Sequence, residues 1–349
     1  MRLVSLGLAL LAAASLQAQR PLRVVTSLPT YAAIAREIVG DRATVAAIAE
    51  GDEEPHFVQP KPSFLPLIGQ ADVFVTTGLD LELWVPALLD KAGNPRVVEG
   101  GQGYVAAYRG IRLLEVPVTA SRSEGDIHVY GNPHIHTDPV NGIWIARNIL
   151  AGLERVAPGS AAYFREREQA FERHLLGRIY GDELVRLLTP ETLFELARSY
   201  QDWDFLHTNQ YQGAPLATRL GGWMKQAEAF RGKQMVCYHK EWAYFSARFG
   251  LPCVEYVEPK PGIPPSPRHV QRLLELMRRD HVRVLFSPNY YNRHQIREIA
   301  ARTGATAVVV PGQVNGAPGV ETYERLVDSW VGELSRAFEA AAASGGRSR

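Results

Sequence analysis

The chain has 349 residues, of which 46% are hydrophobic, and its formal net charge is +1. A chain of this length can bury a sizeable core, so we expect one or two domains. A net charge so close to zero does not favour binding to nucleic acid or to an anionic membrane surface.

Residues 1–19 have the pattern of a cleavable secretory signal peptide. Arg2 gives a positive start, an apolar run extends from Leu3 to Leu16, and the small residue Ala18 precedes a polar change. The apolar run is shorter than the roughly 20 residues that a spanning helix needs. No cysteine stands at the cleavage point, which argues against a lipid anchor. We therefore expect release into a periplasm or the medium, without direct insertion of the mature chain into a membrane.

Short apolar runs rich in β-branched residues alternate with segments of helical spacing through most of the mature chain. This alternation predicts an α/β fold with parallel sheets and helices on both faces. In the first half, the expected strands are 22–28, 43–50, 71–78 and 96–99. In the second half, they are 233–239, 251–258, 282–288 and 305–311.

The two series of strands predict two lobes. We place an N-terminal α/β lobe at 20–157, a long linking helix within 158–181, an insertion and connection at 182–229, and a C-terminal α/β lobe at 230–345. The linking helix is indicated by one apolar stripe at helical spacing, formed by Phe164, Phe171, Leu175 and Ile179. The stretch 182–215 does not follow the alternation of strands and helices in either lobe. We therefore treat it as an insertion that forms a lid, contacts a partner or is an ordinary surface segment.

Three of the ten histidines occupy equivalent places in this scheme. His56 lies in the loop after the second strand, His134 in the loop before a helix capped by Asp138, and His239 at the end of a strand. Loops at the carboxyl ends of parallel strands line the ligand crevice, so these side chains could converge between the lobes. Neutral imidazole is a preferred zinc ligand, and three nitrogens fill most of a tetrahedral shell. The sequence therefore predicts a metal site.

Four stretches resemble the zinc and manganese solute-binding proteins of ABC transporters, the TroA-like family of cluster A-I. With the order of strands and helices, the resemblance covers nearly all of the mature chain. The stretches are EPHFVQPKPSF, ADVFVTTGLDLELWVPALL, GNPHIHTDP and CYHKEWAYFSARFGL.

The resemblance implies a TroA-like fold, in which two α/β lobes are joined by a long backbone helix and a metal ion lies between them. It assigns the linking helix to Ser160 through about Tyr180, and His56, His134 and His239 match the family's three histidine ligands. It also implies a periplasmic binding protein, not an enzyme. Such a protein acts as a monomer that captures a divalent metal ion and delivers it to an ABC transporter permease.

Two further histidines depart from the family pattern. His136 stands where the family often has an aromatic residue, and we expect it to face away from the metal. His128 stands near the place where zinc-binding members carry a histidine-rich loop. That loop is short here, so His128 either passes metal inward or has no role, and we favour no role.

The fourth ligand stays open at this stage. Many family members supply an aspartate after the last strand, but here no carboxylate follows that strand before Glu321. The histidine-rich set favours Zn²⁺ over Mn²⁺, because harder oxygen ligands suit manganese better. The alternatives for the fourth position are water, the amides of Gln313 and Asn315, and the carboxylates of Glu53, Glu54 and Glu258.

Other functions are compatible with parts of the pattern. A secreted zinc-dependent hydrolase also uses three histidines and a water molecule, although the chain has no H-E-x-x-H helix. A cell-surface adhesin on the same scaffold is a third possibility. Cys237 and Cys253 lie in two separate strands, and they are either a disulfide or two buried free thiols.

Overall fold

The structure is a computed structural model that describes residues 20–117 and 128–345. The expected signal peptide at 1–19 lies outside the described residues. Among the residues described, none of the helices combines the length and the apolar character needed to cross a membrane.

The first part of the chain folds around a parallel four-stranded sheet of order β2-β1-β3-β4. Its central strand β1 places Val24 opposite Val45 on one side and Val73 on the other. The elements are β1 (Leu22–Thr26), α1 (Pro29–Val39), β2 (Ala43–Ala47), α2 (Phe64–Gly69), β3 (Val73–Thr76), α3 (Val85–Ala92), β4 (Tyr104–Ala106) and α4 (Pro139–Val156).

A long helix, α5 (Ala161–Tyr180), follows and packs against α1 and α4. Its predicted apolar stripe is buried, with Phe164, Leu175 and Ile179 fully inaccessible to solvent. The segment expected to be an insertion contains three short helices and a small antiparallel hairpin. The elements from here to the second lobe are α6 (Asp182–Leu188), α7 (Pro190–Arg198), α8 (Asp202–Thr208), β5 (Gln210–Tyr211), β6 (Ala214–Pro215) and α9 (Gly222–Ala227).

The last part of the chain forms a second parallel sheet of order β10-β9-β7-β8. The predicted fold class is thus confirmed, with two parallel sheets flanked by helices and a long helix between them, whereas the numbered domain boundaries stay a prediction. The elements are β7 (Met235–Cys237), α10 (Ala243–Phe249), β8 (Cys253–Tyr256), α11 (Pro267–Arg279), β9 (Val284–Pro288), α12 (Arg293–Thr303), β10 (Thr306–Val310) and α13 (Tyr323–Gly345).

The strand expected at 96–99 is wrong, because these residues form turns and β4 begins only at residue 104. The Asn94 side chain accepts a hydrogen bond from the backbone N–H of Arg96 at 3.1 Å and so turns the chain. Val97 is buried, which explains the misleading apolar signal. Strand pairing starts after Gly103. This position requires glycine, because an added Cβ would lie 2.0 Å from the Asp72 carbonyl oxygen.

Cys237 and Cys253 are joined in a disulfide between the neighbouring strands β7 and β8, with their α-carbons 5.5 Å apart. Of the two alternatives that the sequence allows, the structure has the disulfide. Closing a loop of this length stabilises a fold by about 3 kcal/mol in the chain-entropy account. Because His239 follows Cys237, the last residue of β7, by two positions, the disulfide also fixes the strand end that carries this predicted ligand.

A buried arginine joins the second lobe to the first. The Arg248 guanidinium donates to both carboxylate oxygens of Asp138 at 2.9 Å and to Asp202 at 2.9 Å. Asp202 also accepts a hydrogen bond from the Tyr180 hydroxyl at 2.6 Å. Burial alone would lower the pKa of Arg248, but the two carboxylates raise it well above the usual value. Arg248 therefore stays charged and holds Asp138, the cap of α4, in place.

Replacing Arg248 by methionine is expected to destabilise the metal-free protein by about 3–5 kcal/mol, because it leaves two buried carboxylates without their counter-charge. Urea unfolding measures the effect. The control is Arg279→Met, which removes an exposed arginine paired with Asp280 and should leave the unfolding midpoint unchanged. Equal midpoints for the two variants would contradict this role of Arg248.

Candidate metal centre

His56 is held in a tight turn at the carboxyl end of β2. The turn spans Pro55–Phe57, and its preceding residue Glu54 accepts a hydrogen bond from the His56 backbone N–H at 3.2 Å. The same carboxylate oxygen contacts His56 Nδ1 at 2.5 Å. The indole N–H of Trp84 donates to the Pro55 carbonyl at 2.8 Å, so the turn is also fixed from the side.

His134 lies in a loop that is fixed from both lobes. Asn132 Oδ1 accepts hydrogen bonds from the His134 backbone N–H and contacts its Nδ1, each at 3.0 Å. Asn132 in turn donates to the Lys240 carbonyl at 2.7 Å, and its own carbonyl accepts from the Tyr244 hydroxyl at 2.7 Å. The position of the His134 ring therefore depends on the second lobe.

His239 follows β7 in the second lobe and is almost fully buried. Its Nδ1 lies 2.9 Å from the carbonyl oxygen of Glu258, the second residue after β8. The Glu258 backbone N–H donates to the Tyr238 carbonyl at 2.7 Å, which extends the pairing of the two strands up to the site.

The structure brings the three predicted histidines together. Their ring centroids are 5.1 Å apart for His56 and His134, 5.6 Å for His56 and His239, and 5.9 Å for His134 and His239. An oxygen atom holds Nδ1 of each ring, which leaves Nε2 for a metal. The Nε2 atoms of His56 and His239 are buried without a hydrogen-bond partner among the described residues. Such a donor set fits a divalent ion.

His128 belongs to the same cluster, although the sequence suggested no role for it. Its ring stacks on His56 at 5.4 Å and lies 5.7 Å from His134. One potential ligand nitrogen from each of His56, His128 and His239 lies within 4.8 Å of the other two. The signal available in the sequence was its place near the loop that is histidine-rich in zinc-binding members of the family.

His136 lies apart from this cluster. Its Nε2 is 2.9 Å from the amide nitrogen of Gln313, and its ring meets the Tyr31 ring edge-on with centroids 6.4 Å apart. The Gln313 amide oxygen accepts a hydrogen bond from the Thr30 hydroxyl at 2.5 Å. Asn315 lies in a turn closed by a bond from its N–H to the Val320 carbonyl.

The candidate carboxylates also have other partners. Glu54 contacts His56, and a Glu53 oxygen accepts the Glu50 N–H at 2.9 Å. A Glu258 oxygen accepts the Gly262 N–H at 2.7 Å. Of these three contacts, only that of Glu54 involves a histidine of the cluster.

Burial keeps the central rings neutral. Burial, strengthened by the neighbouring histidines, lowers the pKa of His134 well below the usual value. Burial and nearby His56 lower the pKa of His239 to about 3, and burial lowers that of His136 to about 4. Neutral imidazole is the form that binds a metal ion, so these rings compete little with protons near neutral pH.

Comparison with known proteins places the chain among metal-uptake components. The sequence model of the family described as zinc-uptake complex component A, periplasmic (ZnuA) matches residues 24–177 and 216–337. These ranges include all four histidines of the cluster.

Individual relatives resemble the chain over most of its length. An iron-binding protein YfeA of Yersinia pestis is 24% identical over 325 residues, covering 90% of this chain and 86% of the relative. A high-affinity zinc uptake system protein ZnuA of Bacillus subtilis is 23% identical over 297 residues, covering 83% and 77%. A zinc-bound crystal structure of a ZnuA deletion mutant has a TM-score of 0.65 at 19% identity, covering 91% and 98%.

A manganese ABC transporter substrate-binding lipoprotein PsaA of Streptococcus mitis is also similar, at 21% identity over 286 residues, covering 81% and 77%. The names of these relatives specify different metals, so similarity alone leaves the choice among zinc, manganese and iron open. The solved structure supports the fold. The family consists of solute-binding proteins, and the hydrolase alternative receives no support from these relatives.

Acid is expected to weaken the metal-free fold through His134 and His239. Their pKa values are lowered in the folded state, so the folded chain binds fewer protons than the unfolded chain, where histidine has a pKa of about 6.5. This contribution to stability is complete above pH 6.5 and is lost as the pH falls toward the folded values. Each group adds a slope of up to about 1.4 kcal/mol per pH unit, measurable by urea unfolding between pH 7 and pH 5.

The variant His239→Gln should flatten this pH dependence, because glutamine cannot take up the proton. The matched control is His294→Gln, which replaces an exposed histidine outside the cluster and should keep the parent's slope. Parallel slopes for the parent and the His239 variant would show that His239 is not kept neutral by burial.

Proposed function

The chain belongs to the family of periplasmic zinc-uptake components (ZnuA), and we propose that it captures one zinc ion between its lobes and delivers it to an ABC transporter permease. The observation that carries this proposal is the convergence of the His56, His134 and His239 rings within 5.1–5.9 Å of one another. Two of these rings come from the first lobe and one from the second, so a bound ion joins the lobes.

The chemistry of the donors supports zinc as the cargo. The cluster presents imidazole nitrogens, which suit zinc, whereas manganese prefers carboxylate and carbonyl oxygen. The nearby carboxylate of Glu54 contacts a histidine ring, and that of Glu258 accepts a backbone N–H. For a given nitrogen site, ferrous iron also binds more weakly than zinc.

Capture suits this site better than catalysis. A hydrolytic zinc centre keeps one coordination position open for water and needs a placed general base. Here the ligand rings are enclosed, with His134 and His239 almost inaccessible to solvent. A buried, nearly closed shell favours tight binding without turnover.

The proposed compartment is the periplasm, and the proposed state is a monomer. The signal pattern at 1–19 supports export, and the Cys237–Cys253 disulfide suits an oxidising compartment. The permease is the partner that a solute-binding component requires.

Zinc titration against a competing chelator tests the proposal. We expect one zinc per chain, and we expect His56→Ala, His134→Ala and His239→Ala each to lower the affinity on the order of a hundredfold or more. The reason is that about 10–16 kcal/mol of apparent zinc binding free energy is shared among roughly four ligands.

His136→Ala is the matched control, because that ring contacts Gln313 and Tyr31 instead of the cluster. Its zinc affinity should change little. Unchanged affinity in all three alanine variants of the predicted ligands would remove the proposed site. Hydrolysis of a generic ester or phosphate substrate that chelation abolishes would favour the hydrolase.

A further inference from the structure

We infer that His128 is the fourth ligand, so that four imidazole nitrogens close the shell around the zinc ion. This inference rests on the proposed function and deepens it by naming the donor that completes the site. It also assigns a role in positioning that donor to Asp80, at the carboxyl end of β3.

The distances favour a closed set of donors. Ligand nitrogens of His56, His128 and His239 lie within 4.8 Å of one another. His134 falls outside that group, but its ring centroid lies 5.1–5.9 Å from the other three. In a tetrahedral zinc site with Zn–N bonds of about 2.0–2.1 Å, the donors are about 3.4 Å apart. Small side-chain rotations would close the difference when the ion binds.

Asp80 orients the His128 ring for this role. Its Oδ1 lies 3.0 Å from His128 Nδ1, and its Oδ2 accepts the backbone N–H of Val129 at 3.1 Å. A carboxylate at Nδ1 selects the tautomer that coordinates through Nε2, and it makes the ring a better donor. The two contacts together hold the ring and its backbone to the same carboxylate.

Two of the other candidates, Gln313 and Glu258, have partners of their own. The Gln313 amide contacts Thr30 and His136. The Glu258 carboxylate accepts the Gly262 N–H. His128 belongs, with His56 and His239, to the group of potential metal donors found within the described residues.

Carboxylates beside the ligand rings balance the charge of a four-imidazole site. By themselves, four neutral rings would leave the double positive charge of zinc uncompensated in a buried place, which is unfavourable. The carboxylates of Glu54 and Asp80 each contact a ligand ring at Nδ1 and supply two negative charges next to the shell. The assembly of ion, rings and carboxylates is thus neutral while all direct donors are nitrogen.

Cobalt titration of the full mature chain tests the inference, because Co²⁺ in a four-coordinate tetrahedral site absorbs visible light much more strongly than Co²⁺ in a six-coordinate one. The parent should give the intense spectrum. His128→Ala should lose much of this intensity, because water replaces the ring and the shell expands. It should also bind zinc on the order of a hundredfold more weakly and discriminate less against Mn²⁺.

Asp80→Asn separates positioning from coordination. It should keep the four-coordinate cobalt spectrum while lowering zinc affinity about 10–100-fold, the usual effect of losing such a supporting group. His294→Ala is the control for the loss of an exposed histidine, and it should match the parent in both measurements. Urea unfolding of the metal-free variants checks that each one folds.

A His128→Ala protein with the parent's cobalt spectrum and zinc affinity would overturn the inference and leave the proposed function standing. A parent that binds neither ion would overturn both. If His128→Ala does not fold, zinc-edge X-ray absorption of the parent decides the matter. Scattering from four imidazoles supports the inference, and scattering from three with an oxygen contradicts it.

Discussion

The proposed metal centre depends on one repeated interaction, the contact of each imidazole Nδ1 with a protein oxygen. Carboxylates serve two of the rings, an amide oxygen serves the third and a backbone carbonyl the fourth. The pairs are His56 with Glu54, His128 with Asp80, His134 with Asn132 and His239 with Glu258. Each contact engages Nδ1, which favours the tautomer that coordinates through Nε2 and holds the ring in position before an ion binds. Burial keeps His134 and His239 neutral and ready to coordinate.

The same contacts couple the site to the arrangement of the lobes. The loop that carries His134 is bound to the second lobe through Asn132, which contacts Lys240 and Tyr244. The end of this loop, at Asp138, is held by the ion pair with Arg248. Separating the lobes would break these hydrogen bonds and move His239 away from the first-lobe histidines. In the proposed function, opening of the cleft would therefore separate the donors of the bound ion.

Much of the architecture could be predicted from local patterns, since alternating runs and capping residues such as Asp138 act within a few positions. The places of His56, His134 and His239 followed from the rule that strand ends face a crevice. The strand prediction at 96–99 was wrong because Val97 is buried although it does not pair in a strand. For His128 the sequence favoured no role over passing metal inward, because its position depends on Asp80, 48 residues earlier, and a local pattern cannot reveal such a contact. The disulfide likewise depends on strand order, which becomes visible only in three dimensions.

The most direct test is a crystal structure of the zinc-loaded protein with anomalous diffraction data collected at the zinc edge. We expect one strong anomalous peak between the lobes, about 2.0–2.1 Å from Nε2 of His56, His134 and His239. A zinc peak bound elsewhere, or a loaded crystal in which these three rings do not share an ion, would contradict this expectation.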